Sequence, residues 1–209
     1  MGVMDAVKPA TSVGNGASAK LILASASPRR QALLREMLPH FDVTACQRAE
    51  PQHKPAGLSA LAWVQALAYY KARGVAEAQP GRWVLGADTI VVCGESLLGK
   101  PADEADAARM LALQAGRPSV VITGVCLMRM GGTVQRLFLV DSTRVWMRAD
   151  PQEVAAYLRS GDWQGKAGAY GIQDVGDRLV ERIEGSFSNV VGLPVERLAH
   201  VLRRARILT

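Results

Sequence analysis

Two serines and two arginines lie together where a predicted strand runs into a predicted helix. The segment Ser25-Ala26-Ser27-Pro28-Arg29-Arg30 follows the apolar residues 21–24 and precedes a helical pattern of apolar residues. Ser27 is a favourable N-cap, and Pro28 suits the first helical position. The free N–H groups and dipole of a helix N-terminus attract anions, and guanidinium groups match the geometry of phosphate. These residues favour a phosphate-binding site over the alternative, a capped helix with two solvated arginines.

Asp88 is the second unusual residue, because it lies among apolar residues that predict a buried strand. The segment Gly86-Ala87-Asp88-Thr89 separates Val84-Leu85 from Ile90-Val91-Val92. A buried carboxylate is costly unless it is paired or binds a metal ion. The neighbouring Gly86 indicates that another part of the backbone approaches closely. Asp88 is therefore predicted to be a hydrogen-bonded structural residue, a metal ligand or a catalytic base.

Three further candidates carry weaker signals when each is taken alone. Lys100 lies in Gly99-Lys100-Pro101, which lacks the spacing of a P-loop, and a lysine in a turn is usually solvated. Glu50 lies in a polar loop, where a carboxylate is usually exposed. The glycine-rich segments 165–173 and 186–194 allow the backbone to approach a ligand closely. Apolar residues within both segments favour folded loops that pack against the body of the protein.

Alternating strands and helices must hold these residues in place. Strands are predicted at residues 21–24, 41–45, 83–92, 120–130 and 134–147, with residues 86–89 interrupting the third. Helices are predicted after the N-caps Ser27, Ser59, Asp103 and Asp150 and from Pro194 onward. No element is assigned within the glycine-rich stretch 161–192. The alternation predicts one α/β domain at residues 20–209, with a mixed sheet and flanking helices, preceded by a flexible tail at residues 1–19.

The composition is that of an ordinary globular protein. Of the 209 residues, 49% are hydrophobic and 21% are charged, which excludes wholesale disorder. No apolar run approaches the roughly 18 residues of a membrane-spanning helix, and the N-terminus lacks the apolar core of a signal peptide. We therefore expect a cytoplasmic protein without a membrane partner.

The charge, cysteines and histidines indicate which partners, redox state and metal sites to expect. The net charge of +6 is typical of proteins with anionic partners and equally of proteins whose charge serves solubility. Cys46, Cys93 and Cys126 are odd in number, form no CxxC motif and lie among apolar residues, so we expect them to be reduced and buried. The three histidines do not have metal-ligand spacing, so a zinc site is not expected.

Taken together, these motifs resemble those of the Maf family of nucleoside triphosphate pyrophosphatases. The string Leu-Ile-Leu-Ala-Ser-Ala-Ser-Pro-Arg-Arg at residues 21–30 resembles the opening signature of the family. Glu50 aligns with the glutamate of the family's Asp-Glu pair, and Lys71-Ala72 with a Lys-Ala pair on a helix. The other matching segments follow in family order at residues 41–43, 86–89, 99–101, 123–125, 166–173 and 186–194. The resemblance covers residues 21–202.

The resemblance implies hydrolysis of a nucleoside triphosphate between the α- and β-phosphates, with a divalent cation, Mg²⁺ or Mn²⁺. It also implies a mixed sheet bent around a deep nucleotide cleft, and a homodimer. Asp88 would be the catalytic carboxylate, accompanied by Glu50 and Lys100, and the two carboxylates would bind the metal ion. The residues expected to bind the triphosphate are Ser25, Ser27, Arg30, Lys71 and Lys166. Mg²⁺ prefers one or two carboxylates together with phosphate oxygens, which agrees with this assignment.

One subtype of the family acts on dTTP and UTP as nucleotide-pool house-cleaning, and its three specificity residues fall on Arg29, Thr89 and Gln173. The side chains of Thr89 and Gln173 can form hydrogen bonds with the edge of a pyrimidine. The segment Lys166 through Gln173 also resembles that subtype. CTP or a modified pyrimidine triphosphate remains an alternative substrate.

This chain departs from the family pattern at two places. Ala49 replaces the aspartate of the Asp-Glu pair, which removes one carboxylate from the neighbourhood of the metal ion, and Pro118-Ser119 replaces a Thr-His pair. Because Asp88, Glu50 and Lys100 are present, we still expect an active enzyme. The competing interpretation is a nucleic-acid-binding or division-regulating protein, indicated by Arg203-Arg204-Ala205-Arg206. Aromatic residues make up only 5% of the chain and no known binding motif is present, so nucleic acid is not expected as a partner.

Overall fold

One mixed sheet organises the described residues, 21–173 and 178–208, of the computed structural model. Its strands are β1 (Leu21–Leu23), β2 (Asp42–Val43), β3 (Trp83–Cys93), β4 (Ser96–Leu98), β5 (Pro118–Arg129), β6 (Gln135–Met147) and β7 (Val180–Glu184). They follow the order β2-β1-β3-β5-β6-β7, and β4 pairs with the end of β3. β1 is parallel to β2 and β3, whereas the other pairs are antiparallel. The predicted mixed α/β sheet is confirmed.

Helices flank this sheet, and all of them except α5 begin where the sequence predicts. They are α1 (Pro28–Met37), α2 (Ala60–Ala76), α3 (Glu104–Gln114), α4 (Pro151–Ser160), α5 (Phe187–Val191) and α6 (Val195–Arg204). The side chains of Ser27, Ser59, Asp103 and Asp150 each accept a hydrogen bond from a backbone N–H in the first turn. Within residues 21–173 and 178–208, no helix is both long enough and apolar enough to cross a lipid bilayer. The tail predicted at residues 1–19 lies outside the described residues.

Two predictions are wrong, and one stretch without an assigned element contains a strand and a helix. Residues 86–89 do not interrupt β3, because every residue from Trp83 to Val92 is paired with β5. The stretch 161–192 contains the unpredicted strand β7, which pairs with β6, and the unpredicted helix α5, which Ser186 caps. Cys46 is only half-buried, whereas Cys93 and Cys126 are buried as expected. Burial raises the pKa of Cys126 to about 12, so its thiol remains protonated.

Two glycines allow α2 to lie directly on the sheet. Gly86 on β3 and Gly124 on β5 are close neighbours, because Asp88 is paired with Gly124. A Cβ atom at Gly86 would be 2.4 Å from the carbonyl oxygen of Ala68, and one at Gly124 would be 2.7 Å from the carbonyl oxygen of Val64. Both oxygens belong to the backbone of α2, so neither can move away without displacing the helix. This close packing brings Lys71 on α2 to Asp88 on β3.

Gly86→Ala is therefore expected to push α2 away from the sheet. Overpacking usually costs about 1–3 kcal/mol, and contact with immobile backbone atoms favours the upper end, about 3 kcal/mol. Urea denaturation would measure the free energy of unfolding. Gly99→Ala is the matched control, because its Cβ would have no atom within 4 Å and its φ angle is outside the left-handed region. Equal stability of the two variants would contradict this packing.

Candidate active site

A gap along one edge of β3 forms the candidate site. β1 covers β3 at Trp83–Leu85 and β4 covers it at Val91–Cys93. Between them, residues 86–90 have no strand neighbour on this edge among the described parts of the chain. The loop after β1 and the N-terminus of α1 lie at this gap because β1 ends there. A cavity of about 600 Å³ opens beside them.

The cavity brings together residues that are widely separated in the sequence. Nine of the eleven predicted site residues lie in its wall: Ser25, Ser27, Arg29, Arg30, Glu50, Lys71, Lys100, Lys166 and Gln173. The other two, Asp88 and Thr89, line two adjoining cavities that share Lys100 with the first. The predicted residues thus form one continuous polar region.

Lys71 and Asp88 form a buried ion pair at the centre of this region. Lys71 is 6% exposed and Asp88 is 8% exposed, and Lys71 Nζ donates a hydrogen bond to Asp88 Oδ1. Nζ also lies 3.2 Å from Oε2 of Glu50, which is more exposed. The ammonium group of Lys71 thus holds two carboxylates at the cavity through one oxygen of each. Contact between Lys71 and the triphosphate stays a prediction.

Arg30, at the N-terminus of α1, is held through both its backbone and its side chain. Ser27 Oγ accepts a hydrogen bond from the backbone N–H of Arg30 at 3.4 Å, and Ser25 Oγ accepts one from the N–H of Ser27 at 3.2 Å. The Arg30 guanidinium donates from Nε to the Gly192 carbonyl at 2.8 Å and from Nη2 to Thr89 Oγ1 at 2.9 Å. The alternative of a merely solvated arginine is therefore wrong for Arg30.

Burial affects both arginines of this turn. Burial lowers the pKa of Arg30, and the carboxylate of Asp88 opposes that shift. Burial also lowers the pKa of Arg29. Arginine stays protonated across the physiological range despite such shifts, so the site contains two partly desolvated cations. An anion that enters would restore part of the lost solvation.

The opposite wall of the cavity is held by Tyr157, which the sequence analysis did not identify. Its hydroxyl oxygen accepts a hydrogen bond from the backbone N–H of Gly171 at 3.1 Å and lies 3.5 Å from Lys166 Nζ. Burial raises the pKa of Tyr157 to about 12, so the hydroxyl is neutral at physiological pH. Lys100 and Gln173 are exposed at the rim of the cavity. No motif or spacing in the sequence connected Tyr157 with the site.

Two fully buried polar residues behind Thr89 were also missed. Thr123 Oγ1 lies 3.0 Å from Thr89 Oγ1 and donates a hydrogen bond to the carbonyl of Asn189 at 3.0 Å. Asn189 Nδ2 donates to the Val121 carbonyl and to Thr143 Oγ1. Thr123 and Asn189 both lie in segments that match the family, at residues 123–125 and 186–194, and this was the available signal.

The two departures from the family pattern differ in their surroundings. Ala49 precedes Glu50, and its carbonyl accepts a hydrogen bond from the Tyr70 hydroxyl at 2.8 Å. Ser119 is buried within β5 and does not line the candidate cavity. Only the departure at Ala49 therefore adjoins the carboxylates.

Comparisons with known proteins agree with these motifs. Residues 20–205 match the family model described as Maf-like protein. A dTTP/UTP pyrophosphatase of Koribacter versatilis is 46% identical over 90% of this chain and 95% of its own length. The dTTP/UTP pyrophosphatase of Myxococcus xanthus is 47% identical, with 88% and 92% coverage. That of Deinococcus radiodurans is 42% identical, with 90% and 94% coverage.

Similarity to solved structures is more remote. A HAM1 protein from Coxiella burnetii aligns with 88% of this chain and 98% of its own, with a TM-score of 0.49 and 17% identity. That similarity is too weak to bear on function. The family match spans most of the sequence, and the curated relatives share nearly their whole length with it. The chain belongs to the Maf-like protein family.

Proposed function

We propose that this protein hydrolyses dTTP and UTP to the nucleoside monophosphate and pyrophosphate, and so removes these nucleotides from the pool. The observation that carries the proposal is the Lys71–Asp88 ion pair, which lies beside the N-terminus of α1 in a cavity rich in cations. The curated relatives named dTTP/UTP pyrophosphatase support the choice of substrate. A cavity of about 600 Å³ is large enough for a bound nucleotide.

The triphosphate would bind across the basic wall of the cavity. Ser25 and Ser27 shape the turn at the N-terminus of α1, where backbone N–H groups and the helix dipole favour an anion. Arg30 keeps further N–H groups after its bonds to Gly192 and Thr89, since a guanidinium carries five donors. Lys100 and Lys166 supply two more cations in the same wall.

The two carboxylates suit a divalent cation, Mg²⁺ or Mn²⁺, that binds together with the substrate. Glu50 and Asp88 each contact Lys71 through one oxygen, so each retains a second oxygen for a metal ion. Within the described residues no cluster of three or more His, Cys, Asp or Glu side chains could hold a metal ion. Mg²⁺ commonly binds one or two carboxylates plus substrate phosphates, so this donor set fits. Such a cation would neutralise charge on the phosphates.

Asp88 would act as the general base in the reaction. Its carboxylate accepts a proton from the attacking water, whose oxygen forms a bond to the α-phosphorus. The bond from the α-phosphorus to the oxygen bridging to the β-phosphorus breaks, and pyrophosphate leaves with that oxygen. Lys100 and Lys166 would stabilise the charge that develops on pyrophosphate. Lys71 holds the Asp88 carboxylate in place.

Hydrolysis in water enriched in ¹⁸O tests this bond assignment. Attack at the α-phosphorus places the label in the monophosphate and leaves pyrophosphate unlabelled. We expect UMP with one ¹⁸O atom per turnover, measured by mass spectrometry. Label in pyrophosphate, or release of UDP and orthophosphate, would overturn the proposed reaction.

Gln173→Ala is expected to broaden base preference more than it lowers the rate. Gln173 is exposed at the rim, where its amide can form hydrogen bonds with a pyrimidine edge, and Arg29 lies in the same wall. The loss of one such bond costs roughly 1 kcal/mol, about a fivefold change in kcat/KM for UTP. Relative kcat/KM values for UTP, CTP and ATP would measure the change. An unchanged nucleotide profile would argue against a role for Gln173.

The same proposal includes a cytoplasmic homodimer, because nucleotide pools lie in the cytoplasm and the family resemblance implies a dimer. Light scattering coupled to size-exclusion chromatography would give the mass in solution. A mass near 45 kDa is expected, about twice the 22.4 kDa of one chain. A mass of one chain at assay concentration would remove the dimer from the proposal without affecting the reaction.

A second candidate function, polynucleotide binding, is favoured by a separate cavity of about 500 Å³. Four arginines line it: Arg129, Arg136, Arg204 and Arg206. None of the four has an ion pair with a carboxylate among the described residues. Arg206 follows α6 and has a φ of 57°, in the left-handed region that glycine usually occupies at the end of a helix. The cavity is therefore a basic surface suited to phosphodiester groups.

Fluorescence anisotropy with a labelled single-stranded oligonucleotide tests this second candidate. Oligonucleotide binding in the arginine-lined cavity should weaken steeply between 50 and 200 mM salt, by about tenfold or more, and should be lost in Arg204→Gln/Arg206→Gln. The matched control Arg117→Gln/Arg159→Gln removes the same charge from exposed positions that do not line this cavity. Equal binding by the two double variants would exclude this cavity as the binding site.

A further inference from the structure

We infer that Thr123 and the backbone carbonyl of Asn189 fix the Thr89 hydroxyl as a hydrogen-bond acceptor toward the cavity, and thereby favour uracil and thymine over cytosine. Thr123 and Asn189 are positioning residues, because they act through Thr89. The inference rests on the proposed hydrolysis of dTTP and UTP.

The direction of the hydrogen bonds follows from the one group that can only accept. The Asn189 carbonyl has no proton, so Thr123 must donate its single hydroxyl proton to it at 3.0 Å. Thr123 Oγ1 lies 3.0 Å from Thr89 Oγ1. Because the Thr123 proton is already used, Thr89 must be the donor in that pair. The Thr89 hydroxyl proton therefore points into the protein and away from any ligand.

Arg30 restricts Thr89 further. Its Nη2 donates to Thr89 Oγ1 at 2.9 Å, which occupies one of the two lone pairs of that oxygen. The proton and one lone pair of Thr89 are thus both committed. One lone pair is all that the hydroxyl can offer a ligand.

The carbonyl that sets this direction is itself held firmly. Asn189 belongs to α5, and both Asn189 and Thr123 are completely buried. The Asn189 side chain donates to the Val121 carbonyl at 3.1 Å and to Thr143 Oγ1 at 3.0 Å, which ties α5 to β5 and β6. The series of hydrogen bonds from Arg30 to Asn189 therefore runs in one direction, from donor to acceptor, and has no alternative partner among the described residues.

A fixed acceptor distinguishes pyrimidines that a flexible amide cannot. Uracil and thymine carry a proton on N3, whereas N3 of cytosine is an acceptor. Gln173 can rotate its amide to present either a donor or an acceptor, and Arg29 only donates, which does not distinguish the bases at O2, the one carbonyl oxygen that all three possess. Among the three predicted specificity residues, Thr89 is therefore the one that offers a fixed acceptor to N3. Its lone pair accepts from N3–H and would oppose N3 of cytosine.

Thr123→Val tests the inference by releasing the proton of Thr89. The hydroxyl of Thr89 can then rotate and donate to N3 of cytosine. We expect the ratio of kcat/KM for CTP to that for UTP to rise about tenfold, through a gain for CTP as well as a loss for UTP. Thr123→Ser keeps the hydroxyl and should leave the ratio within about twofold of wild type. Thr89→Val removes the acceptor without supplying a donor, so it should lower hydrolysis of UTP and should raise hydrolysis of CTP less than Thr123→Val does.

A second measurement needs no variant. 5-Fluoro-UTP loses its N3 proton at a lower pH than UTP does, and an ionised N3 can no longer donate. With the wild-type enzyme, the alkaline decline of kcat/KM should therefore begin at lower pH for 5-fluoro-UTP than for UTP. This comparison remains informative if Thr123→Val does not fold.

Two results would overturn the inference. The first is a folded Thr123→Val enzyme with an unchanged CTP-to-UTP ratio, and the second is an identical alkaline decline for UTP and 5-fluoro-UTP. Absence of pyrophosphate release from UTP by the wild-type enzyme is a different result, because it would overturn the proposed function itself.

Discussion

Asp88→Asn is expected to lower kcat for pyrophosphate release from UTP by about 10³- to 10⁴-fold, because the amide cannot accept the proton of the attacking water. The substitution preserves the size of the side chain. Lys71 retains Glu50 at 3.2 Å, so its ammonium group keeps one anionic partner. We therefore expect the variant to remain folded, with a thermal unfolding transition close to that of wild type.

The control for this experiment is Glu184→Gln. Glu184 is also a carboxylate with ion pairs, to Arg144 and Arg182, but it lies on β7 at the far edge of the sheet. This variant should retain activity within about twofold of wild type, since exposed ion pairs contribute little. An Asp88→Asn enzyme with more than about a tenth of wild-type activity would contradict the role of Asp88 as general base.

Lys71→Met should have the second large effect, on stability as well as activity. Asp88 would remain in its buried position without the ammonium group that pairs with it. Removing one partner of a buried ion pair typically costs about 3–5 kcal/mol, because a charge is left uncompensated. Urea denaturation followed by circular dichroism would measure the loss in the free energy of unfolding.

A double variant separates this cause from lost packing. Lys71→Met/Asp88→Asn removes both charges, so it should recover a large part of the stability while remaining inactive. Lys100→Met is the matched control, because Lys100 lines the same cavity but is exposed. It should lose activity with a change in stability below about 0.5 kcal/mol. A Lys71→Met protein as stable as Lys100→Met would contradict the buried pair.

The residue types at the turn after β1 were sufficient to predict its local structure. Ser27 caps α1 and Pro28 occupies its first turn, since both signals are local and do not depend on the rest of the fold. The burial of Asp88 was also predictable, because apolar residues flank it on both sides. Its partner was not, since Lys71 reaches it only through the close packing of α2 at Gly86.

Elements stabilised by tertiary contacts could not be predicted in the same way. β7 has five residues, Val180–Glu184, and its burial does not alternate regularly, so its strand conformation depends on pairing with β6. The helix α5 is a single short turn, which is too short to form from propensity alone. The hydrogen bonds from Thr89 to Asn189 connect β3, β5 and α5. No spacing within the sequence indicates that these three elements lie next to one another.

The most direct test of the central claim is pyrophosphate release from a panel of nucleoside triphosphates, measured with Mg²⁺, with Mn²⁺ and with EDTA. We expect release from dTTP and UTP that depends on the divalent cation, with weaker release from CTP and the purine nucleotides. Correctly folded protein that releases pyrophosphate from none of them, or that prefers ATP or GTP, would contradict it.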